Sequence, residues 1–186
     1  MKMFVVLEGI DGVGKTTLGK ALVEQLDDAV FMESLTRTSE LDKYIRKGYP
    51  NIHDNNAIVR SMLMACSRQE KKFAILRSLM THKYLVMDRW WYSTYAYMMD
   101  YVKKGVISME WLESLNKEMR GPDLVLYLEP FRKLPDDNPY MLGVLDTYRK
   151  MRDEKDNWIT IGDVLDTPVS HIADIIRREE RALKNE

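Results

Sequence analysis

Short apolar runs recur along the chain and predict buried β-strands. Five such runs are rich in valine, isoleucine, leucine or aromatic residues: Phe4 to Leu7, Ala29 to Met32, Tyr84 to Met87, Leu124 to Leu128 and Trp158 to Ile161. Their residues are apolar at successive positions, which is typical of strands covered on both faces of a parallel sheet. We therefore predict a parallel sheet of about five strands.

Both ends of the chain predict amphipathic helices. Near the N-terminus, apolar residues recur at helical spacing from Leu18 to Leu26. Near the C-terminus a similar pattern follows Thr167 and Pro168, which we predict as the cap and the first turn of a helix. Strands that alternate with helices indicate the α/β class, here a three-layer, doubly wound parallel sheet. Ligands of such folds bind beyond the carboxyl ends of the strands, so we expect the chemistry there.

The longest helical pattern covers residues 55–80, which contain no glycine or proline. This composition predicts one or two long helices. We expect Met62, Met64 and Met80 to fill gaps in the core, because the methionine side chain is flexible and apolar. Cys66 follows the apolar residues Met64 and Ala65 and is expected to be a small core residue.

The composition is that of a soluble globular domain. Hydrophobic residues make up 45% of the chain, and 28 Lys plus Arg stand against 29 Asp plus Glu, for a net charge of -1. This balance provides no overall basic surface for nucleic acid, and no apolar run approaches the roughly 18 residues needed to span a membrane. We predict a single cytoplasmic domain over residues 1–186 that binds neither nucleic acid nor membranes.

A glycine-rich motif directly follows the first predicted strand. Its residues are Gly9, Ile10, Asp11, Gly12, Val13, Gly14, Lys15, Thr16 and Thr17, which fit G-x-x-x-x-G-K-[ST] in a P-loop NTPase. Backbone N–H groups of such a loop surround phosphate oxygens, and the following helix adds the positive end of its dipole. We predict that these residues bind ATP, with Lys15 on the β- and γ-phosphates and the Thr16 hydroxyl on Mg²⁺.

A phosphate loop alone does not distinguish a GTPase, a motor ATPase and a small-molecule kinase. GTPases bind guanine with Asn-Lys-x-Asp, and the Asn116-Lys117 pair of this chain lacks the final Asp. The third predicted strand ends in Asp88-Arg89, where a motor ATPase usually has an acidic pair. We predict Asp88 as a second Mg²⁺ anchor and Arg89 as a clamp on the phosphate of an acceptor, which favours a kinase.

Two segments, residues 4–17 and 88–97, resemble the signatures of thymidylate kinases. Residues 109–124 are similar to a helix and a strand of the same family. The resemblance implies a nucleoside monophosphate kinase that transfers the γ-phosphoryl group of ATP to dTMP with the help of Mg²⁺. It also implies a homodimer packed through helices.

The resemblance also implies which residues bind the phosphate and sugar of the acceptor. Asp11 is expected near the 3′-hydroxyl and Arg89 on the phosphate, with a surface ion pair as the alternative for Arg89. The clamping loop of the family is shortened to Thr36-Arg37-Thr38-Ser39, in which only Arg37 can take over the clamping role.

Four further residues match family positions around the nucleoside. Arg68 is expected on the base, and Met64 stands where the family has a stacking aromatic residue, so the base meets a less restrictive surface. Thr94 is expected at the pyrimidine edge and Tyr97 beside the 2′ position. Membership of an aromatic core stripe is an equal alternative for Tyr97.

The cation for the transition state is expected from a short lid-like segment at residues 130–140. Val13 has no guanidinium group, so this charge must come from elsewhere. Arg132, with Lys133 beside it, is the nearest candidate for the catalytic cation. A solvated basic pair is an equal alternative for these two residues.

The leading functional hypothesis is therefore a dTMP kinase. Met64 and the altered clamping loop leave open a kinase for another deoxynucleotide or for a deoxynucleoside. The short lid leaves open a third hypothesis, an ATP-binding module that has lost turnover.

Overall fold

The described part of the chain alternates strands and helices. The computed structural model describes residues 2–46, 56–130 and 138–184. The strands are β1 (Met3–Glu8), β2 (Ala29–Glu33), β3 (Tyr84–Asp88), β4 (Leu124–Leu128) and β5 (Trp158–Ile161). The helices are α1 (Lys15–Gln25), α2 (Glu40–Arg46), α3 (Asn56–Thr81), α4 (Trp91–Lys103), α5 (Met109–Ser114), α6 (Pro139–Asp153) and α7 (Val169–Lys184). None of the helices in these ranges is both long and apolar enough to cross a membrane.

The strands of the described ranges form one parallel sheet in the order β2-β3-β1-β4-β5. The central strand, β1, pairs with β3, where Val5 lies opposite Val86. On its other side β1 pairs with β4, where Leu7 lies opposite Leu126. Because all the strands run the same way, their carboxyl ends meet at one edge of the sheet. The prediction of an α/β fold with a five-stranded parallel sheet is confirmed.

Helices cover both faces of this sheet. On one face, α1 and α7 share a core with Val5 through Leu18 and Ile172. On the other face, α3, α4 and α6 enclose a second core that contains Val6 and Ile75. Alternate residues of β1 therefore enter two different cores, which explains why the strand is apolar at successive positions. The three-layer arrangement agrees with the prediction.

The longest helical pattern forms one helix of 26 residues, α3. Ile75 and Leu79 lie in the core, whereas Met62, Met80 and Cys66 are exposed. The prediction that these three side chains fill the core is wrong. A helix packed on a sheet buries one stripe of its surface, and the three residues lie outside that stripe.

The C-terminal helix begins differently from the prediction. The Thr167 hydroxyl donates to the carbonyl oxygen of Asp163 (2.9 Å), and α7 begins at Val169. The backbone N–H of Ile172 donates to the carbonyl oxygen of Pro168, so Pro168 holds the cap position. The prediction of Thr167 as the cap is wrong because its hydroxyl closes the preceding turn instead.

A buried carboxylate connects α7 with the amino end of β3. Glu180 is 3% exposed and accepts a hydrogen bond from the Tyr84 hydroxyl (2.6 Å). It also forms ion pairs with Lys83 (3.1 Å) and Lys184 (2.6 Å). Burial alone would raise the pKa of Glu180, but these contacts outweigh it and lower the pKa to about 2. The cluster stabilises the fold at the end of the sheet opposite the carboxyl edge.

Candidate active site

The glycine-rich segment forms a tight loop between the end of β1 and the start of α1. Gly9 has a φ of 143°, and a Cβ there would lie 2.7 Å from the Leu128 carbonyl oxygen. Gly14 has a φ of 88° and directly precedes the first turn of α1. Both positions favour glycine, because other residues are strained at positive φ. The local structure is therefore the strand, loop and helix that the phosphate-binding motif requires.

Lys15 is buried at the base of this loop. It is 5% exposed, and its Nζ donates a hydrogen bond to the carbonyl oxygen of Ile10. Burial, assisted by the positive charge of Arg89, lowers the pKa of Lys15 to about 8. A phosphate group beside Lys15 would offset this desolvation by favouring the charged ammonium.

Thr16 and Asp88 meet beside the loop, although 72 residues separate them in the sequence. The Thr16 hydroxyl donates to Asp88 Oδ2, while Oδ1 is buried without a hydrogen-bond partner among the described residues. Hydroxyl and carboxylate oxygens are ligands that Mg²⁺ prefers. The unpaired carboxylate oxygen therefore fits the predicted magnesium site.

A cavity of about 840 Å³ opens at the carboxyl edge of the sheet. From the phosphate loop it is bordered by Asp11, Gly12, Gly14, Lys15, Thr16 and Thr17. From the predicted acceptor side it is bordered by Arg37, Met64, Asp88 and Arg89. Lys20, Glu33 and Arg46, which sequence analysis did not single out, also border it. Its walls hold more cationic than anionic side chains, which suits two polyanionic substrates.

Two residues of the loop point away from the cavity. The Ile10 side chain is 4% exposed and lies in the core, and the Val13 side chain packs against both cores. Any role of these two residues in phosphate binding therefore belongs to their backbone.

Arg89 connects the end of β3 with the phosphate loop. Its backbone adopts a φ of 67°, and its N–H donates to the Leu7 carbonyl oxygen (2.9 Å). Its guanidinium donates to Asp11 (2.7 Å), Ser93 (2.9 Å) and Tyr148 (3.3 Å). The group is thus held in one orientation while it borders the cavity, which is what a phosphate clamp requires.

Glu8 lies behind Arg89 and was missed by sequence analysis. It is fully buried and accepts hydrogen bonds from the Trp90 N–H (2.8 Å), Ser93 (2.6 Å) and Tyr148 (3.0 Å). Burial raises the pKa of Glu8, while the charge of Arg89 opposes that shift. The sequence does contain a signal for it, since Glu8 is a charged residue that ends an apolar strand.

Arg68 and Thr94, both expected at the base, contact each other in the structure. Arg68 is 1% exposed, and it donates to Thr94 (3.0 Å) and to the Asn116 side-chain oxygen (2.9 Å). Its Nη2 is buried without a hydrogen-bond partner among the described residues. Because both partners are neutral, burial lowers the pKa of Arg68 to about 10. Asn116, which sequence analysis did not assign to the site, therefore orients Arg68.

Tyr97 belongs both to the site and to the aromatic packing. Its hydroxyl donates to Asp11 Oδ2 (3.4 Å), and the Arg89 guanidinium lies 5.6 Å from its ring centre. Its ring also contacts Tyr140, with 6.4 Å between the ring centres. The two interpretations of Tyr97 are thus compatible. Arg132 and Lys133 lie outside the described residues, so the catalytic cation stays a prediction.

Comparisons with known proteins identify relatives of this chain. The family profile described as Thymidylate kinase matches residues 7–134. A probable thymidylate kinase of Pyrococcus horikoshii is 36% identical over 135 residues, and a thymidylate kinase of Leptospira borgpetersenii is 35% identical over 133 residues. Each alignment covers 68% of this chain, but only 64% and 63% of the respective relative, which is less than two thirds of its length.

Solved structures show the same fold. Thymidylate kinase from Candida albicans superposes with a TM-score of 0.75 over 99% of this chain and 93% of its own, at 19% identity. Thymidylate kinase from Ehrlichia chaffeensis gives a TM-score of 0.70 over 95% of this chain and 97% of its own, at 22% identity. At these identities the two structures support the fold alone.

Proposed function

The chain belongs to the thymidylate kinase family, and we propose that it transfers the γ-phosphoryl group of ATP to the 5′-phosphate of dTMP. One observation carries this proposal: the phosphate loop and Arg89 border the same cavity. Phosphoryl transfer needs two polyanions held in line and little covalent chemistry from the protein. A cavity that combines a phosphate loop with a fixed arginine meets this requirement.

Each side of the cavity has its own task in the proposed reaction. The amides of the phosphate loop and Lys15 hold the phosphates of ATP, and Lys15 stabilises the charge that develops during transfer. Thr16 and Asp88 would hold Mg²⁺, which neutralises charge on the β- and γ-phosphates when bound. Arg89 holds the acceptor phosphate in line. Arg132 is proposed as the cation that covers the γ-phosphoryl group.

The acceptor base is proposed to be thymine. Arg68 Nη2 is a buried donor without a hydrogen-bond partner among the described residues, and Thr94 holds the guanidinium in place. A carbonyl oxygen of a pyrimidine would satisfy this donor, and a base without it would leave the donor unpaired. Met64 borders the cavity and offers an apolar surface to the base.

A coupled assay of ADP release tests this function against the alternatives. We expect dTMP to have the highest kcat/KM in a panel that also contains dUMP, dGMP, dAMP and thymidine. Equal or better use of a purine nucleotide or of thymidine would favour a different acceptor. ATP binding without product from any acceptor would favour the binding module.

We also propose a homodimer, as the resemblance implies. One stripe of α3 is exposed at spacings of three and four residues: Val59, Met62, Cys66, Gln69, Phe73, Leu76 and Met80. All of these residues except Gln69 are apolar, and apolar residues at such spacing are typical of a seam between two helices. Phe73 is 81% exposed, and a second copy of α3 would cover it.

Phe73→Glu is expected to convert the dimer into a monomer, because a charge would be buried in the seam. Light scattering after size exclusion should give about twice 21.9 kDa for the native protein and 21.9 kDa for the variant. Leu165→Glu is the matched control, since Leu165 is 73% exposed and lies outside α3. A Phe73→Glu protein that remains dimeric would contradict the assignment of this interface.

A further inference from the structure

A buried ion pair lies near the acceptor side of the cavity and has no role in the reaction as described above. Asp42 of α2 has no exposed surface, Lys71 of α3 is 6% exposed, and 2.7 Å separates Lys71 Nζ from Asp42 Oδ2. The Ser67 hydroxyl donates to Asp42 Oδ1 (2.6 Å). Burial alone would raise the pKa of Asp42, but hydrogen bonds from Lys71, Ser67 and Thr36 outweigh it and lower the pKa.

The same carboxylate anchors the loop that carries Arg37. The Thr36 N–H (2.5 Å) and the Thr36 hydroxyl (2.9 Å) both donate to Asp42 Oδ2. The Thr36 hydroxyl oxygen accepts from the Ser39 N–H (3.3 Å), and the Ser39 hydroxyl donates to Glu70 of α3 (2.7 Å). The backbone is therefore anchored on both sides of Arg37, whose exposed side chain borders the cavity.

This anchoring restrains a loop whose backbone is not fixed by proline. The segment Thr36-Arg37-Thr38-Ser39 contains no proline to restrict its backbone. An arginine that binds phosphate from an unrestrained loop loses backbone as well as side-chain entropy. A backbone anchored before binding reduces this loss to that of the side chain, which strengthens binding.

Stability alone is a weak explanation for the ion pair. Apolar residues of similar volume often stabilise a protein as well as a buried ion pair does, because burial removes both charges from water. The Asp42 carboxylate does what an apolar side chain cannot do, since it accepts two hydrogen bonds from Thr36. Its burial is therefore better explained by the loop that it holds.

We infer that Asp42 and Lys71 are positioning residues that hold Thr36 so that Arg37 meets the phosphate of the acceptor nucleotide. Lys71 acts through Asp42, whose charge it balances, and neither residue needs to touch the substrate. The inference deepens the proposed function and rests on it, because it assumes a phosphorylated acceptor. None of the contacts in this cluster involves the phosphate loop, so the effect is confined to the acceptor.

Steady-state kinetics of the double variant Asp42→Leu/Lys71→Met test this role. The variant removes both charges and keeps similar volumes, so it avoids an unpaired buried charge. We expect the KM for dTMP to rise about tenfold and the KM for ATP to stay within about twofold, because only the acceptor clamp loses its orientation. The single variant Lys71→Arg keeps the ion pair, so its KM values for dTMP and ATP should be close to those of the native protein. An equal rise of both KM values would overturn the inference.

Two further variants separate positioning from a general loss of stability. Arg37→Ala should raise the KM for dTMP, and adding Asp42→Leu/Lys71→Met to it should raise the KM no further, because both act through one side chain. If the effects of these variants on the KM for dTMP were additive, Asp42 and Lys71 would not act through Arg37. Glu180→Gln removes a buried ion-pair network at the opposite end of the sheet, and it should lower thermal stability without changing either KM.

Hydrogen exchange provides a readout that does not depend on the acceptor. The Thr36 amide should exchange at least about tenfold faster in Asp42→Leu/Lys71→Met, because it loses its hydrogen-bond acceptor. Unchanged exchange would overturn the inference whatever the enzyme phosphorylates. If the native protein does not phosphorylate dTMP, the proposed function fails. The KM comparison is then repeated with the acceptor that the panel identifies. If the panel identifies no acceptor, the Kd for dTMP is compared instead, and this measurement decides the role of Asp42 and Lys71.

Discussion

Replacement of Lys15 by alanine is expected to lower kcat by about 10²-fold or more while the protein stays folded. Lys15 lies buried at the base of the phosphate loop, and its Nζ donates to a backbone carbonyl of the same loop. In the proposed reaction this ammonium stabilises charge that develops on the transferred phosphoryl group. Its loss therefore acts most strongly on the transition state.

The measurement is kcat from a coupled ADP assay, together with circular dichroism and thermal unfolding to verify the fold. Lys150→Ala is the matched control, because Lys150 is an exposed lysine of α6 that does not border the cavity. Its kcat should equal that of the native protein. A folded Lys15→Ala protein with native turnover would refute the proposed kinase activity.

Arg89→Ala should raise the KM for dTMP by about 10²-fold and leave the KM for ATP nearly unchanged. Asp11, Ser93 and Tyr148 orient the guanidinium toward the cavity from the end of β3, whereas the phosphate loop follows β1. Truncation removes the cation from the acceptor phosphate. It also leaves the buried carboxylate of Glu8 without the positive charge that opposes the rise in its pKa.

Two control variants make this prediction specific. Arg89→Lys keeps the charge but loses the forked geometry, so its KM for dTMP should lie between those of the native protein and of Arg89→Ala. Arg178→Ala removes an exposed arginine of α7 and should change neither KM. If the KM for ATP rises in Arg89→Ala while that for dTMP does not, the assignment of the two substrate sites is reversed.

The strands could be predicted from the sequence because β1, β3 and β4 are buried at every residue and the edge strands β2 and β5 are largely apolar. The apolar run Trp158 to Ile161 coincides with β5, and the run Tyr84 to Met87 ends one residue before β3 does. The phosphate loop could also be predicted from the sequence, because its function depends on backbone groups of consecutive residues. Both features are local, so neither requires knowledge of what lies across the sheet.

Side-chain burial on α3 could not be predicted in the same way. The methionines Met62 and Met80 and the thiol of Cys66 are apolar, yet all three are exposed. Periodicity identifies an amphipathic helix, but α3 carries apolar residues on more than one side. Which side meets the sheet depends on the packing of the whole domain.

By itself the sequence determined the alternation of strands and helices, the phosphate loop, the acid that ends β3 and the arginine that follows it. Only the tertiary structure decided which distant side chains meet: Arg68 with Asn116, 48 residues apart, and Glu8 with Tyr148, 140 residues apart. The physical reason is that a strand or a phosphate loop depends on residues that are neighbours in the sequence, so a local pattern is enough to predict it. These pairings, in contrast, follow from the strand order β2-β3-β1-β4-β5 and the helices packed on it, which bring remote segments to one edge of the sheet.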